Sequence, residues 1–301
     1  METPHHYKLN PEEPRTQLRD NLVRALEAVA VQFSSTIMIE GIDATDLFGM
    51  NALLGGAIEA QTVTVLNRLR DIWDPDERYV EYAFKRYPES FPDVRLVSTD
   101  ESQPIIGIEL KGWYLLSKEA EPSFRFRASA DAMTEFDLLV CYPWSLSNVL
   151  SGQPVLHTPF IEQGKYAADM RTYYWENRVG SSKGRSTEIV HPDTHPYPEP
   201  RAEFLDKPVV DGGNNFGRIA RGPLMTEFVE RTLEKPLAGI PARCWIQFLK
   251  LFAEGNSSEQ IARGLERIAN ALHKARPKAQ SQELETVLQH FQIILEYLGA
   301  E

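Results

Sequence analysis

Asp93, Glu109 and Lys111 are the residues whose types and spacing could together perform chemistry. Side chains two positions apart on a strand share a face, so an extended run through Glu109 and Lys111 points both the same way. Asp93 opens a second short run, 94–98, and the polar residues 99–104 are typical of a turn between the two runs. If the runs fold back symmetrically, Asp93 lies opposite Glu109, and directly opposed residues of an antiparallel pair have Cβ atoms about 4.5–5.5 Å apart. The sequence therefore predicts two carboxylates that can share one cation, with an ammonium beside them.

Such a group suits the hydrolysis of a phosphodiester. Mg²⁺ prefers oxygen ligands and is typically held by one or two protein carboxylates together with substrate phosphate. We predict Asp93 and Glu109 as metal ligands, while Lys111 would orient or help deprotonate the attacking water and neutralise the developing charge. The alternative is a surface hairpin whose charges face solvent, because a Glu-x-Lys triplet is common by chance. The apolar residues before Glu109, the Pro-Asp pair upstream and the aromatic exit at Gly112-Trp113-Tyr114 favour the site.

The pattern Pro92-Asp93 … Glu109-Leu110-Lys111 resembles the PD-(D/E)XK nuclease superfamily, and most closely its type II restriction endonucleases. Many members also place an acidic residue on a helix ahead of the Pro-Asp, and Glu59 fits that role. The resemblance covers residues of about 45–145. It implies an α/β, restriction-endonuclease-like core with a mixed central β-sheet flanked by helices, Mg²⁺ as the cofactor and double-stranded DNA as the partner. Without the resemblance, the sequence is equally consistent with Glu59 as a site residue and as a solvent-exposed glutamate on a helix.

Length and composition bound the class of protein. A chain of 301 residues with 42% hydrophobic residues is long enough for one large domain, or for a domain with a smaller appendage. No apolar run is long enough to span a membrane, and the first residues lack the architecture of a signal peptide. The cysteines Cys141 and Cys244 lie in apolar settings, as buried thiols do in a reducing compartment. We expect a soluble, cytoplasmic protein with no membrane partner.

The net charge of −11 at first sight argues against a nucleic-acid partner. Nearly all of the excess lies in residues 1–161, which contain 14 Lys and Arg against 24 Asp and Glu. A carboxylate-based metal site adds to such an excess, and a bound Mg²⁺ partly offsets it. Charge therefore neither supports nor excludes DNA, and it predicts local contacts rather than a broad basic field.

Helical spacing of apolar residues predicts helices over 15–33, 51–73 and 161–177. Glu59 lies off the main apolar stripe of the second helix, on a flank that also contains Gly56. An acid one turn after paired glycines could reach a neighbouring site through a gap in the side-chain cover.

The continuous apolar run 137–142 predicts a central strand covered on both faces, which ends at Pro143. The connection from Lys111 is long enough for a crossover, so this strand is expected to follow in the sheet. Residues 124–127 alternate Phe and Arg, which suggests a further strand with one apolar and one basic face. Arg125 and Arg127 on that face are candidate contacts to DNA phosphates, although they could equally pair with nearby glutamates.

An irregular, Gly- and Pro-rich segment over 178–223 is the second candidate region for DNA contacts, since long irregular segments in compact domains are usually functional or disordered. Asn can read adenine and Arg can read guanine in the major groove, and glycines allow close backbone approach. An ordinary surface loop explains the same composition nearly as well. The residues that we predict to contact DNA here are Lys183, Arg185, Asn214, Asn215, Arg218 and Arg221.

We divide the chain into a nuclease core, residues 1–235, that carries this insertion, and a C-terminal helical region, residues 236–301. From Pro236 onward the sequence predicts helices only, over 242–253, 257–275 and 280–298. This region could dock on the core or mediate dimerisation. Cutting both strands with one site per chain favours a homodimer.

The function that these expectations favour is a Mg²⁺-dependent, sequence-specific DNA endonuclease of the type II restriction kind. A repair or recombination nuclease that recognises DNA structure would use the same site. A DNA-binding or assembly protein with a degenerate site is the non-enzymatic alternative, and the intact Asp93, Glu109 and Lys111 argue against it.

Overall fold

The computed structural model describes residues 2–41, 54–100, 104–178, 186–198, 204–211, 215–251, 256–274 and 289. Its helices are α1 (Pro14–Gln32), α2 (Gly55–Arg68), α3 (Arg70–Trp73), α4 (Gly164–Arg178), α5 (Thr226–Leu233), α6 (Ala242–Leu251) and α7 (Ser258–Lys274). Its strands are β1 (Tyr82–Arg86), β2 (Val94–Ser98), β3 (Pro104–Tyr114), β4 (Leu138–Leu146), β5 (Pro154–Leu156), β6 (Phe160–Gln163), β7 (Ile189–Val190), β8 (Lys207–Pro208), β9 (Pro236–Leu237) and β10 (Ile240–Pro241).

A mixed sheet of six strands forms the centre of the molecule, in the order β1-β2-β3-β4-β5, with β6 also paired to β4. β1, β2 and β3 are antiparallel neighbours, whereas β3 and β4 run parallel. β5 and β6 both pair antiparallel with β4, on different parts of its length. The expected mixed α/β architecture is confirmed, as is the parallel strand that follows a crossover from Lys111.

The alternation of side chains along β3 separates two apolar layers. Ile108 and Leu110 belong to a large core that is covered by α1, α2 and α6. Trp113 belongs to a second core on the other face, covered by α4, α5 and the segment 124–133. Glu109 and Lys111 share the parity of Trp113, so β3 presents them on the second face.

Pro143 lies inside β4, so the expectation that the strand ends there is wrong. β6 pairs with residues 138–141 of β4, and β5 pairs with residues 144–146. Pro143 falls in the gap between these two pairings. Because proline cannot donate a backbone hydrogen bond, a gap of this kind lets the strand continue through it.

The predicted helices agree with the structure except near their ends. α1 confirms the helix expected over 15–33, and the helix expected over 51–73 is divided at Leu69 into α2 and α3, with residues 51–53 outside the described ranges. α4 begins only at Gly164, because residues 160–163 pair with β4 as strand β6. None of the helices in the described parts of the chain combines the length and the hydropathy that a membrane span requires.

Residues 124–127 do not form a strand of any sheet, so this prediction is wrong. Their backbone bonds to irregular segments: the Phe126 N–H donates to the Gly217 carbonyl at 2.8 Å, and the Asp206 N–H donates to the Arg127 carbonyl at 2.8 Å. Phe126 is nevertheless buried, as the alternation predicted. The alternation identified the two faces of the segment and not its hydrogen-bond partners.

The C-terminal region contains a short hairpin as well as helices. α6 and α7 confirm the helices expected over 242–253 and 257–275, whereas almost all of the helix expected over 280–298 lies outside the described residues. The expectation of helices alone from Pro236 is wrong, because 236–241 form the antiparallel pair β9–β10. α6 packs into the same core as α1 and α2, while α7 packs against α6 through a separate, smaller apolar cluster.

Candidate active site

The β2–β3 hairpin brings Asp93, Glu109 and Lys111 together. Val94 pairs with Ile108, which places Asp93 opposite Glu109 as the sequence predicts. The Lys111 Nζ lies 2.5 Å from the Glu109 Oε1 and 3.9 Å from the Asp93 Oδ2. The three side chains therefore form one cluster, which we call the carboxylate cluster.

The carboxylate cluster lies where β3 runs on beyond its neighbour β2. The pairing with β2 reaches Ile108, whereas β3 continues to Tyr114, so no strand of the described residues lies beside this part of β3 on the β2 side. The Leu110 N–H on this edge donates to the Asp93 Oδ2 at 2.8 Å. The Asp93 carboxylate thus takes the place of a strand neighbour and is fixed by the β3 backbone.

Close packing of Pro92 on Gly107 sets the position of Asp93. A Cβ atom placed on Gly107 would lie 2.4 Å from the Pro92 Cγ and 3.0 Å from the Tyr197 Cε1, so no larger residue fits there. The guanidinium of the buried Arg95 donates to the Phe91 carbonyl at 2.7 Å. Both contacts hold the segment that leads into Asp93.

Gly107→Ala is expected to destabilise the fold and to displace Asp93, because the added methyl group and Pro92 would occupy the same space. Overpacking of this kind costs about 1–3 kcal/mol of unfolding free energy. Denaturant unfolding would measure the loss. Gly55→Ala is the matched control, because a Cβ at Gly55 meets nothing within 4 Å. A Gly107→Ala protein as stable as the wild type would contradict this account of the hairpin.

Asp137 is a fully buried carboxylate that the sequence interpretation missed as a site element. It accepts hydrogen bonds from the Gly107 N–H at 2.6 Å, the Thr134 N–H at 2.7 Å and the Tyr197 hydroxyl at 2.7 Å. Burial raises the pKa of Asp137 to about 6, although these hydrogen bonds oppose the shift. Two of its three partners, Gly107 and Tyr197, lie 30 and 60 positions away in the sequence, so no local pattern indicated this role. Its role is to fix β3 and the segment around Tyr197 beneath the hairpin.

The two carboxylates of the cluster are largely buried, and they have few hydrogen-bond and ion-pair partners. The side chains of Asp93 and Glu109 are 19% and 13% exposed, and the Glu109 Oε2 is buried without a hydrogen-bond partner. Burial, and after it the charge of Glu109, raises the pKa of Asp93 to about 8. Lys111 and the Leu110 N–H act in the opposite direction but do not cancel these effects. The cluster therefore has the charge and the unsatisfied oxygen that attract a cation.

Lys111 stays an ammonium in this setting. Burial alone would lower its pKa, but the charges of Glu109 and Asp93 outweigh burial and raise the pKa above its ordinary value. Cys141 is the register partner of Lys111 on β4. Burial raises the pKa of its thiol despite the neighbouring ammonium, so Cys141 stays protonated and does not act as a nucleophile.

Glu59 lies at the rim of the carboxylate cluster, on α2, and forms an ion pair with Arg86 of β1. The Arg86 Nε lies 2.7 Å from the Glu59 Oε2. The charge of Glu59 is also felt in the cluster, where it contributes to the raised pKa values of Asp93 and Lys111. Glu59 therefore acts on the cluster electrostatically, and the site role that the resemblance implies for it stays a prediction. The sequence interpretation missed its partner Arg86, because it did not predict strand β1.

The arginines expected to contact DNA from residues 124–127 lie beside the irregular segment around Gly217. A Cβ atom placed on Gly217 would lie 2.7 Å from the Arg127 Cγ and 3.3 Å from the Arg125 Cβ. Between them, the Phe126 ring lies 6.5 Å from the ring of Phe91, two residues before Asp93. This basic segment therefore shares the face of the sheet that presents the carboxylate cluster.

The other predicted DNA contacts are only partly within the described residues, because Lys183, Arg185 and Asn214 lie outside them. Arg221 donates to the Glu121 Oε1 at 2.7 Å and to the Asn215 Oδ1 at 2.6 Å, so these two candidate residues bind each other. The Arg218 Nε is buried without a hydrogen-bond partner. The structure thus brings Asn215, Arg218 and Arg221 into one neighbourhood.

The donor set of the carboxylate cluster fits Mg²⁺. Asp93 and Glu109 supply only oxygen ligands, and the Glu109 Oε2 is buried without a hydrogen-bond partner. One or two protein carboxylates suffice for Mg²⁺ when substrate phosphate completes its coordination shell. Within the described ranges, no group of three or more His, Cys, Asp or Glu side chains is arranged to hold a metal ion.

Comparison with known proteins identifies no family for this chain, so the function is inferred from the geometry of the carboxylate cluster. A scan against protein-family models and a search of curated proteins both find no match to the chain. The fold and the site define a mixed α/β protein with two carboxylates and a lysine at the open part of its central sheet.

Proposed function

We propose that this protein is a Mg²⁺-dependent endonuclease that hydrolyses DNA phosphodiester bonds. The main observation behind the proposal is that the buried carboxylates of Asp93 and Glu109 have too few hydrogen-bond and ion-pair partners. The Glu109 Oε2 is buried without a partner, Asp93 has a raised pKa, and the Lys111 ammonium lies 2.5 Å from the other Glu109 oxygen. Cation, phosphate and water can be held at such a group in the arrangement that phosphodiester hydrolysis needs.

Asp93 and Glu109 would hold the cation. When bound, Mg²⁺ supplies positive charge that polarises the phosphoryl group and makes water more acidic. The Leu110 N–H keeps the Asp93 carboxylate on β3, and the packing of Pro92 on Gly107 keeps its backbone in place. In hydrolysis the oxygen of water bonds to phosphorus, one ester bond from phosphorus to a sugar oxygen breaks, and the leaving oxygen takes a proton.

Lys111 acts through its charge. Its raised pKa leaves it protonated, which favours orientation of the attacking water and stabilisation of the developing negative charge over proton abstraction. Glu109 holds the ammonium by the ion pair at 2.5 Å, so the donor is preorganised before substrate binds.

We infer a type II restriction enzyme as the specific kind of nuclease. The resemblance of Pro92-Asp93 and Glu109-Leu110-Lys111 to that family supports it. The segment 124–127 packs on the second face of the sheet through Phe126, and its arginines would contact the DNA backbone. A homodimer would place one site on each strand of a palindromic sequence.

Incubation with long duplex DNA and Mg²⁺, followed by sequencing of the fragment ends, tests the proposal. We expect cleavage that EDTA abolishes, with ends at fixed positions in unmodified plasmid. Preference for branched or damaged DNA would instead identify a structure-specific repair or recombination nuclease. Failure of the folded protein to cut any of these substrates, whether or not it binds them, would contradict the nuclease proposal.

A further inference from the structure

The ion pair of Glu59 and Arg86 neighbours the carboxylate cluster, since the charge of Glu59 contributes to the raised pKa values of Asp93 and Lys111. Arg86 is the last residue of β1 and pairs with Val94, which directly follows Asp93. Its side chain is 37% exposed, whereas that of Glu59 is 20% exposed. Arg86 is therefore the more accessible member of a pair that adjoins the cation site.

The Arg86 guanidinium packs against the backbone of α2 at Gly56. A Cβ atom placed on Gly56 would lie 3.4 Å from the Arg86 Nη2, so the guanidinium packs against bare backbone in the first turn of α2. A guanidinium presents five N–H donors in a planar fork that matches phosphate as well as carboxylate geometry. The group that Glu59 engages can thus engage a phosphate instead.

The carboxylates near Lys111 oppose the approach of DNA. Glu109 and Glu59 are ion-paired with Lys111 and Arg86, so a DNA backbone that approaches Lys111 also meets these two negative charges before a metal ion is bound. The accessible Arg86 offsets that repulsion if the Glu59 carboxylate releases its guanidinium.

We propose that Arg86 binds a backbone phosphate of the DNA and that Glu59 occupies the phosphate position in the free protein. This inference rests on the proposed nuclease function and names the contact by which substrate enters. Once phosphate replaces it, the Glu59 carboxylate adds to the negative charge that attracts the cation. DNA and the cation then bind with positive coupling.

The experiment compares Arg86→Gln, Glu59→Gln and the double variant in binding a mixed-sequence DNA duplex in EDTA, over a series of salt concentrations. Arg86→Gln should weaken binding by about threefold to tenfold and lower the slope of log K against log salt by about one. Glu59→Gln should strengthen DNA binding, because the phosphate then has no carboxylate to displace from Arg86. The double variant should bind like Arg86→Gln.

The exposed ion pair of Glu259 and Arg263 on α7 provides the matched control, and Glu259→Gln and Arg263→Gln should leave DNA binding unchanged. If Glu59→Gln strengthens DNA binding equally in the Arg86→Gln background, the gain reflects only the lost negative charge. That result would overturn the proposal that phosphate replaces Glu59 on Arg86. Unaltered affinity and slope in Arg86→Gln would overturn the phosphate contact. If Arg86→Gln fails to fold, unchanged or weaker binding by Glu59→Gln overturns the inference on its own.

Wild-type cleavage in Mg²⁺ separates this inference from the function on which it rests. A wild-type protein that cuts DNA while the variants deviate from the expected pattern refutes the role of Arg86 alone. A wild-type protein that neither binds nor cuts DNA refutes both.

Discussion

Lys111→Ala is expected to slow Mg²⁺-dependent DNA cleavage by about 10²–10³-fold while the protein remains folded. The ammonium at 2.5 Å from Glu109 is the preorganised cation that the protein itself contributes to the developing charge. Without it, the carboxylates lose the positive charge that opposes their repulsion, and Asp93 holds its proton more strongly. Both effects act against the reaction.

Single-turnover cleavage of plasmid DNA would measure the loss, and thermal unfolding would verify the fold. Lys118→Ala is the matched control, because Lys118 is an exposed lysine shortly after β3 and should cut at the wild-type rate. Wild-type rates in Lys111→Ala would refute the assignment of the carboxylate cluster as the active site.

The second large effect is a dependence of stability on pH that originates in Asp93. Its pKa is raised from 3.8 to about 8 in the folded protein, so the folded state holds a proton that the unfolded chain has already released. In EDTA, the free energy of unfolding should therefore fall as pH rises through this window, by up to about 1.4 kcal/mol per pH unit. Bound Mg²⁺ should reverse the trend, because it binds the deprotonated carboxylate.

Denaturant unfolding of wild type and Asp93→Asn at several pH values, with EDTA and with Mg²⁺, tests this expectation. Asp137, whose pKa is also raised, contributes a slope of the same sign between 3.8 and about 6 in both proteins. The difference between the two proteins therefore isolates Asp93. Mg²⁺ at about 100 times its Kd should stabilise the wild type by about 2.7 kcal/mol and leave Asp93→Asn nearly unaffected. Identical pH slopes of the two proteins in EDTA would show that the pKa of Asp93 is not raised in the folded state.

The geometry of the cluster could be predicted because it is local. Two short runs with a polar turn between them determine an antiparallel hairpin, and the period of two then determines which residues share a face. The pairing of Val94 with Ile108 follows from these rules, and Asp93 faces Glu109 as a result.

Two supports of the cluster could not be predicted, because they join residues far apart in sequence. Arg86 reaches Glu59 across 27 positions, and Tyr197 reaches Asp137 across 60. Periodicity assigns a residue to a face, but it does not identify the element that packs on that face. The same reason explains the error at residues 124–127, where a correct alternation was assigned to a sheet that the backbone does not join.

The contact between Pro92 and Gly107 has a consequence for the evolutionary history of this chain. The ring at position 92 fills the volume that a side chain at position 107 would need, so the two positions are expected to covary. Distant homologues that retain proline should retain glycine, and a bulkier residue at 107 should accompany a substitution at 92. The recognisable signature then lengthens from a common Glu-x-Lys triplet to Pro-Asp followed by Gly-x-Glu-x-Lys, which is selective enough to guide a search for orthologues.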